Sequence, residues 1–175
     1  MVLEDGYNKK VPPINVRENV DVSVSIELLR LVAINEADYS IEIQFEISLL
    51  WKDNRATFHN LKLSDSLNAL TQEDIEQLWL PKVIYENTDQ KETTRLGEFG
   101  AGEWATKVVV RREGNFTAGG LEMVDETQIF NGSENILIMS QTYTHRFQCQ
   151  YEFSSYPFDT QVIYSVSSMN IHFCF

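Results

Sequence analysis

The strongest constraint on the fold is a long alternation of apolar and polar residues between positions 41 and 51. The odd positions from Ile41 to Trp51 are all apolar, and the even positions from Glu42 to Ser48 are polar. A period of two is typical of a β-strand with one buried and one solvated face. A second alternation runs from Val20 to Leu28. The two runs therefore predict a pair of half-buried antiparallel strands, joined through a turn at 36–38.

The remaining elements are shorter and are separated by turn-rich segments. Strands are predicted at 107–111, 121–129 and 136–153. One short helix is predicted where Thr71 precedes the acidic pair Glu73-Asp74, and Leu80-Pro81 ends it. Many strands with a single short helix predict an all-β fold, an antiparallel immunoglobulin-like β-sandwich.

Charge and hydropathy exclude several classes of partner. The chain has 175 residues, with 14 basic and 26 acidic side chains and a net charge of −12. Such a chain is repelled by phosphate groups, so we expect no nucleic-acid or anionic-membrane partner. No apolar run reaches the roughly 18 residues of a membrane span, and the first residues lack the features of a signal peptide. We expect one domain without a membrane segment of its own.

Catalytic and metal-binding motifs are missing from the sequence. The histidines His59, His145 and His172 lie in no motif, and neither a Cys-x-x-Cys nor a Gly-x-Ser-x-Gly segment occurs. The acidic run 73–76 is typical of a solvated helix face. The sequence therefore predicts a protein that is not an enzyme and that holds no metal and no cofactor.

Two sequons and two cysteines bear on the compartment. Asn115-Phe116-Thr117 and Asn131-Gly132-Ser133 are candidate glycosylation sites, because both lie in polar stretches typical of surface turns. Cys149 and Cys174 are too few for a disulfide-rich scaffold. Cys149 falls on the apolar side of its predicted strand, so we expect a buried, free thiol.

Five motifs appear in a fixed order along the chain: Gly6-Tyr7-Asn8-Lys9-Lys10-Val11-Pro12-Pro13, Trp51-Lys52-Asp53-Asn54-Arg55, Leu78-Trp79-Leu80-Pro81, Ile129-Phe130-Asn131-Gly132-Ser133-Glu134-Asn135, and Cys149 followed by Tyr156-Pro157-Phe158-Asp159-Thr160-Gln161. In this order they resemble the extracellular ligand-binding domain of pentameric Cys-loop receptors, the neurotransmitter-gated ion channels. The segments look most like invertebrate members near the glycine- and γ-aminobutyric-acid-receptor side. The resemblance covers about Leu3 to Gln161.

The resemblance implies a small-molecule site between the subunits of a homo- or hetero-pentamer, on the extracellular side of the plasma membrane. The candidates matched by motif are Ile84, Tyr85 and Glu86 on the principal face, and Glu46, Ser48, Ile138 and Ser140 on the complementary face. Glu46 and Glu86 stand where relatives use aromatic residues, and no arginine occupies a matched position. Carboxylates form charge-assisted hydrogen bonds with ammonium groups, so a cationic amine is favoured over an anionic ligand.

The resemblance also assigns coupling and structural roles. The loop that relays binding to the channel matches Tyr156, Pro157, Phe158 and Asp159. Trp51, Asp53 and Cys149 match structural positions. Asp53 and Arg55 follow the strand end, where we expect a local ion pair that contributes only ~0–1 kcal/mol if it is exposed.

The sequence departs from the family near its C-terminal end. Ile163 stands where the second cysteine of the disulfide is expected, and nothing after Gln161 matches. We therefore predict a partial ligand-binding domain at 1–161 and a divergent tail at 162–175. Because strands are then lacking, the sandwich is expected to be incomplete at the C-terminus, with partly bare odd-numbered apolar faces on 41–51 and 137–153. The membrane helices of a channel are absent from this chain. Two alternatives are a secreted soluble ligand-binding protein and a structural or adhesion sandwich.

Overall fold

A computed structural model of the chain describes residues 1–13, 20–85, 107–119, 127–149 and 171–173. Within these ranges the chain forms ten strands, a 3₁₀ turn at Asp65–Leu67 and one α-helix, α1, at Gln72–Gln77. The strands are β1 (Val2–Leu3), β2 (Val22–Asn35), β3 (Ser40–Trp51), β4 (Ala56–His59), β5 (Val83–Tyr85), β6 (Lys107–Arg111), β7 (Phe116–Gly119), β8 (Thr127–Asn131), β9 (Ile136–Gln148) and β10 (Ile171–Phe173).

The strands form antiparallel sheets. One four-stranded sheet has the order β2-β3-β9-β6, and a second has the order β1-β4-β8-β7. The short strands β10 and β5 pair separately. A common hydrophobic core draws side chains from both four-stranded sheets, such as Leu49 and Met139 from the first and Phe58 and Phe130 from the second. This confirms the predicted all-β sandwich with one short helix.

Helix α1 begins where the sequence predicts it. The Thr71 side chain accepts a hydrogen bond from the Asp74 backbone N–H at 3.2 Å, and the Asp74 carboxylate accepts from the Thr71 N–H, which completes a capping box. Ile75 is buried and holds the helix against the core. The helix gives way to extended backbone at Leu78, three residues before Pro81.

The odd-numbered side chains of β3 and β9 form the centre of the core. From Ile41 to Trp51 they are no more than 5% exposed, and β9 adds buried residues from Leu137 to Phe147. The expectation that these faces are partly bare is therefore wrong for the described residues. Trp51 itself is 2% exposed, and its ring packs edge-on against Trp79 at a centroid distance of 6.3 Å.

Strand β2 carries the exposed apolar surface instead. It runs to Asn35, beyond the predicted end at Leu28, and its large apolar residues from Val24 to Ile34 are between 37% and 60% exposed. The prediction of a half-buried strand is wrong for the described residues because the hydrophobic core does not extend along the apolar side of β2, whereas it does cover β6 at the other edge of the sheet. The core cluster includes side chains of β3, β4, β6, β8 and β9, whereas of β2 only Val22 packs against it.

Two irregularities in the β2–β3 register explain the length of β2. The pairing shifts between Leu28 and Arg30 and again between Leu31 and Ala33. Each shift adds one residue to β2, which returns the next apolar side chain to the same side of the sheet. Leu31 and Ile34 consequently lie opposite Ile43 and Ile41, although the strict alternation stops at Leu28.

The bounds of the other predicted strands agree in part with those in the structure. Strand β6 has the predicted bounds. The strand predicted at 121–129 is described only from Thr127 and continues to Asn131, and the strand predicted at 136–153 is described to Gln148. Residues 120–126 and 150–153 lie outside the described ranges. Among the described residues, no helix has the length and apolar character needed to cross a bilayer.

Candidate functional site

The candidate residues of the complementary face lie together on one surface, which we call the β3–β9 polar face: the even-numbered residues of 42–50 and 138–146. The register places Ser48 directly opposite Ser140, and Glu46 opposite Thr142. Directly opposed residues of antiparallel strands project from the same side of a sheet. The two serine hydroxyl oxygens are 2.7 Å apart, so they share a hydrogen bond.

The charge on this face is uneven. Near one end, Arg146 lies 3.9 Å from the Glu42 carboxylate, and Gln44 donates to the Thr144 hydroxyl at 3.4 Å. Glu46, at the middle of β3, has no ion-pair partner among the described residues. Glu46, Ser48 and Ser140 are half-buried, whereas Ile138 is only 9% exposed. Within the described part of the chain, the middle of the face therefore combines two hydroxyl groups with a carboxylate that has no ion-pair partner.

Strand β2 adds a residue that the sequence analysis did not single out. Glu27 lies directly opposite Glu46, and Arg30 lies opposite Gln44. Like charges that face each other across two strands destabilise a sheet. The polar alternation before Leu28 contains the signal for Glu27, but the neighbour becomes evident only once the strand register is known.

The principal-face candidates are placed elsewhere. Ile84 and Tyr85 belong to β5, where they pair with His172 and Ile171 of β10. Glu86 and the coupling residues at 156–159 lie outside the described ranges. The structure therefore brings together the complementary-face set but not the two sets. Such a separation within one chain is also what a site between subunits requires, because each subunit contributes its complementary face to one neighbour and its principal face to another.

A buried charged centre lies where β3 ends. Asp53 is fully buried, and its carboxylate accepts hydrogen bonds from Tyr7 Oη at 2.8 Å and from Arg55 at three nitrogens, N, Nε and Nη2, at 2.8–3.0 Å. Tyr7 Oη also accepts from the Trp79 N–H at 2.8 Å, and the Arg55 guanidinium stacks 4.4 Å over the Tyr7 ring. The centre thus ties the N-terminal segment to the ends of β3 and α1.

The ionisation of the centre follows from its burial. Burial raises the pKa of Tyr7 well above its usual value, and the nearby Asp53 carboxylate adds to that rise. Burial also opposes the charge on Arg55, but the hydrogen bonds and negative charge of Asp53 outweigh it, so the pKa of Arg55 is raised. Asp53 and Arg55 are therefore a buried ion pair rather than the exposed pair that would contribute little.

The sequon residues and the cysteine are placed as follows. Asn115 and Asn131 are exposed, and the Asn131 side chain accepts from the Ser133 N–H at 2.8 Å within a turn. Cys149 is a free thiol that is 8% exposed, and its Sγ lies 3.8 Å from the Phe147 carbonyl. Position 174 lies outside the described ranges.

An aromatic cluster packs on the core side of β3 and β9. The ring of His145 stacks on Tyr143 at 5.5 Å and also meets Phe45 and Phe147. Burial lowers the pKa of His145. In the described part of the chain, no group of three or more histidine, cysteine or acidic side chains is arranged to hold a metal ion.

The fold and the polar face together define an all-β sandwich that presents polar residues from neighbouring strands on one open surface. The family described as the neurotransmitter-gated ion-channel ligand binding domain matches residues 1–164. The chain belongs to this family, which is a receptor-domain family rather than an enzyme family.

Two relatives are acetylcholine receptor delta subunits. The chain is 32% identical over 89 residues to the subunit from Gallus gallus, which is 49% of this chain and 17% of that protein. It is 27% identical over 88 residues to the subunit from Xenopus laevis, which is 50% of this chain and 16% of that protein. The matched part is thus about a sixth of the length of either relative.

Proposed function

We propose that this domain binds a small neurotransmitter between the subunits of a pentameric ligand-gated ion channel, on the extracellular side of the membrane. In this proposal the β3–β9 polar face supplies the complementary half of the site. Ile84, Tyr85 and Glu86 of the adjacent subunit supply the principal half. Family membership and the similarity to two receptor subunits support the class of function.

The observation that carries the proposal is the arrangement around Ser48. Its hydroxyl bonds that of Ser140 on the next strand at 2.7 Å, and Glu46 lies one residue pair further along the same face. These are three of the four positions that the family motifs assign to the complementary face. Two hydroxyl groups and a carboxylate without an ion-pair partner among the described residues are suited to a ligand that is polar and positively charged.

A cationic amine is the ligand class that we propose. The Glu46 carboxylate can form a charge-assisted hydrogen bond or ion pair with an ammonium group. An anionic ligand would meet the same carboxylate. The register places two cations near it, Arg30 opposite Gln44 and Lys107 opposite Ser140, and neither forms an ion pair with Glu46 among the described residues. The chain's net charge of −12 adds to this preference.

The test uses channels assembled from the full-length subunit that contains this domain. The agonist concentration for half-maximal current is compared between wild type and Glu46→Gln for a primary amine and for an amino acid ligand. We expect the Gln variant to need about tenfold more amine, because one charge-assisted interaction of about 1.4 kcal/mol is lost. An unchanged amine response would contradict the proposal.

Glu42→Gln is the matched control. Glu42 lies on the same strand and the same face, but Arg146 already compensates its charge at 3.9 Å. We expect the amine response of this variant to stay within about twofold of wild type. Equal losses in the two variants would indicate a general change of surface charge rather than a contact at Glu46.

Two further assignments belong to this proposal. In this proposal the loop at 156–159 relays ligand binding to the channel. Asn115 and Asn131 carry glycans, which is supported by their exposure. Loss of one glycan mass in each of Asn115→Gln and Asn131→Gln, after expression in a secretory host, checks the last point.

A further inference from the structure

The hydroxyl group of Tyr7 joins two segments that are far apart in the chain. It donates a hydrogen bond to the Asp53 carboxylate at 2.8 Å and accepts one from the Trp79 N–H, also at 2.8 Å. These two partners follow Tyr7 by 46 and 72 positions. Asp53 is fully buried and Trp79 is 5% exposed, so this pair of hydrogen bonds, the Tyr7 bridge, lies inside the domain.

Each segment that the Tyr7 bridge holds leads to one half of the proposed ligand site. Asp53 comes two residues after the end of β3, the strand that carries Glu46 of the complementary face. Trp79 comes four residues before β5, the strand that contains Ile84 and Tyr85 of the principal face. The bridge therefore lies between the two halves that one subunit would give to two neighbouring sites.

The path from Trp79 to β5 is short and closely packed. Trp79 is 5% exposed, Pro81 is buried, and Val83, the first residue of β5, is fully buried. The Trp79 ring also packs edge-on against Trp51 at the end of β3. A close-packed segment that contains a proline has little freedom to absorb a displacement at one end. A shift at Trp79 is therefore expected to move the start of β5.

We propose that the Tyr7 hydroxyl is a positioning group for the principal face. It fixes the segment 79–85 relative to the end of β3, so that β5 is held where a ligand between subunits would meet it. The inference rests on the proposed function, because β5 matters for binding only if the ligand site lies between subunits. Tyr7 acts through Trp79 and needs no contact with the ligand.

Removal of the hydroxyl would break the bridge selectively. Asp53 would keep three hydrogen bonds from Arg55, whose guanidinium stacks on the Tyr7 ring. The Trp79 N–H, by contrast, lies outside the described helices and strands, and Tyr7 Oη is its acceptor within the described ranges. A buried N–H without an acceptor is unfavourable. Tyr7→Phe therefore keeps the ion pair and the ring, and it releases Trp79.

Amide hydrogen exchange of the 175-residue chain, followed by NMR, measures the bridge itself. In wild type, the Trp79 N–H should exchange slowly although it belongs to no helix or strand. In Tyr7→Phe, the amides of Trp79 and β5 should exchange faster by a factor at least about tenfold larger than the factor for the β9 amides. A general loss of stability would speed the exchange of all these amides by similar factors.

The functional consequence is measured in channels assembled from the full-length subunit. The amine concentration for half-maximal current should rise at least about threefold in Tyr7→Phe, because the arrangement that binds ligand is less populated. A role limited to folding would reduce the number of channels and thus the maximal current. It would not change the concentration for half-maximal current.

Lys9→Met is the matched control. Lys9 Nζ donates to the Glu76 carbonyl oxygen at 2.9 Å, so it also ties the N-terminal segment to the end of α1, but this hydrogen bond is exposed. Water can replace an exposed partner at little cost. We therefore expect the exchange rates at Trp79 and β5 and the half-maximal amine concentration to stay within about twofold of wild type.

Three results would overturn the proposal. These are a wild-type Trp79 N–H that exchanges as fast as an unstructured amide, a Tyr7→Phe variant without excess exchange at Trp79 and β5, and a Tyr7→Phe channel with an unchanged half-maximal amine concentration. The wild-type measurement decides on the bridge even if Tyr7→Phe does not fold. The proposed function fails separately, through an unchanged response of Glu46→Gln. An unchanged Tyr7→Phe response beside a shifted Glu46→Gln response overturns the positioning role alone.

Discussion

Replacement of Asp53 by asparagine should destabilise the domain severely. The carboxylate is fully buried and compensates an Arg55 side chain that is only 17% exposed. Removing one partner of a buried ion pair costs about 3–5 kcal/mol, because the other charge stays buried without compensation. We expect about 3 kcal/mol, at the lower end, since Arg55 retains some solvent and a hydrogen bond to the Val11 carbonyl. That loss is a large fraction of a typical stability of ~5–15 kcal/mol.

Urea unfolding followed by tryptophan fluorescence measures this loss. Trp51 and Trp79 pack against each other next to the buried centre, so their emission reports on it. With a urea dependence of about 1–3 kcal/mol per M, the Asp53→Asn midpoint should fall by about 1–3 M.

A matched ion pair provides the control for burial. Asp65 accepts from Arg111 Nε at 2.9 Å, but the two side chains are 35% and 43% exposed. Asp65→Asn should therefore cost no more than about 1 kcal/mol. If Asp53→Asn and Asp65→Asn lower the midpoint equally, burial is not what makes the first pair important, and the reasoning fails.

Two other perturbations follow from the packing and ionisation of single residues. A Cβ on Gly132 would overlap the backbone carbonyl oxygens of Asp53 and Ala56, so Gly132→Ala should cost about 1–3 kcal/mol in urea unfolding. By contrast, a Cβ on Gly6 has no atom within 4 Å, so Gly6→Ala should lose only about 1 kcal/mol through its positive φ. Equal losses of stability in the two variants would refute the packing argument. Because burial lowers the pKa of His145, the unfolded chain binds that proton first, and stability is lost as the pH falls below about 6.5. The drop in melting temperature between about pH 7.5 and 5.5 should be smaller in His145→Phe, and an equal drop would contradict the assignment.

Strand β2 shows how far a periodic pattern predicts structure. The alternation up to Leu28 predicts a strand and its apolar side. It does not predict the continuation to Asn35, because each register shift adds a residue and breaks the period of two. Burial is less predictable still. The pattern shows which side chains share a face, whereas their exposure depends on whether another sheet covers that face.

The candidate site was likewise predictable only in part. The even positions of β3 and β9 predict a common polar face, and the family motifs select Glu46, Ser48, Ile138 and Ser140 on it. The neighbour Glu27 requires the register of a third strand. The buried centre was predicted as a local ion pair between Asp53 and Arg55. Its burial depends on Tyr7, a residue 46 positions away in the chain, which no local pattern connects to Asp53.

The most direct test of the account measures the electrostatic preference of the β3–β9 polar face itself. In a Ser48→Cys variant, the new thiol reacts with a cationic trimethylammonium-ethyl thiosulfonate and with an anionic sulfonato-ethyl thiosulfonate of similar size. The ratio of the two rates is then compared with the same ratio for free cysteine. The native cysteines, Cys149 (8% exposed) and Cys174, also react with the reagents, and the rates of the wild-type chain are subtracted as background.

We expect the cationic reagent to be favoured severalfold. The added substitution Glu46→Gln should remove most of this preference, whereas Glu42→Gln should not. The reason is that the Glu46 carboxylate lies beside the modified position without an ion-pair partner in the described part of the chain, whereas Arg146 compensates Glu42. A rate ratio equal to that of free cysteine, or one that Glu46→Gln leaves unchanged, would contradict the assignment of this face to a cationic ligand.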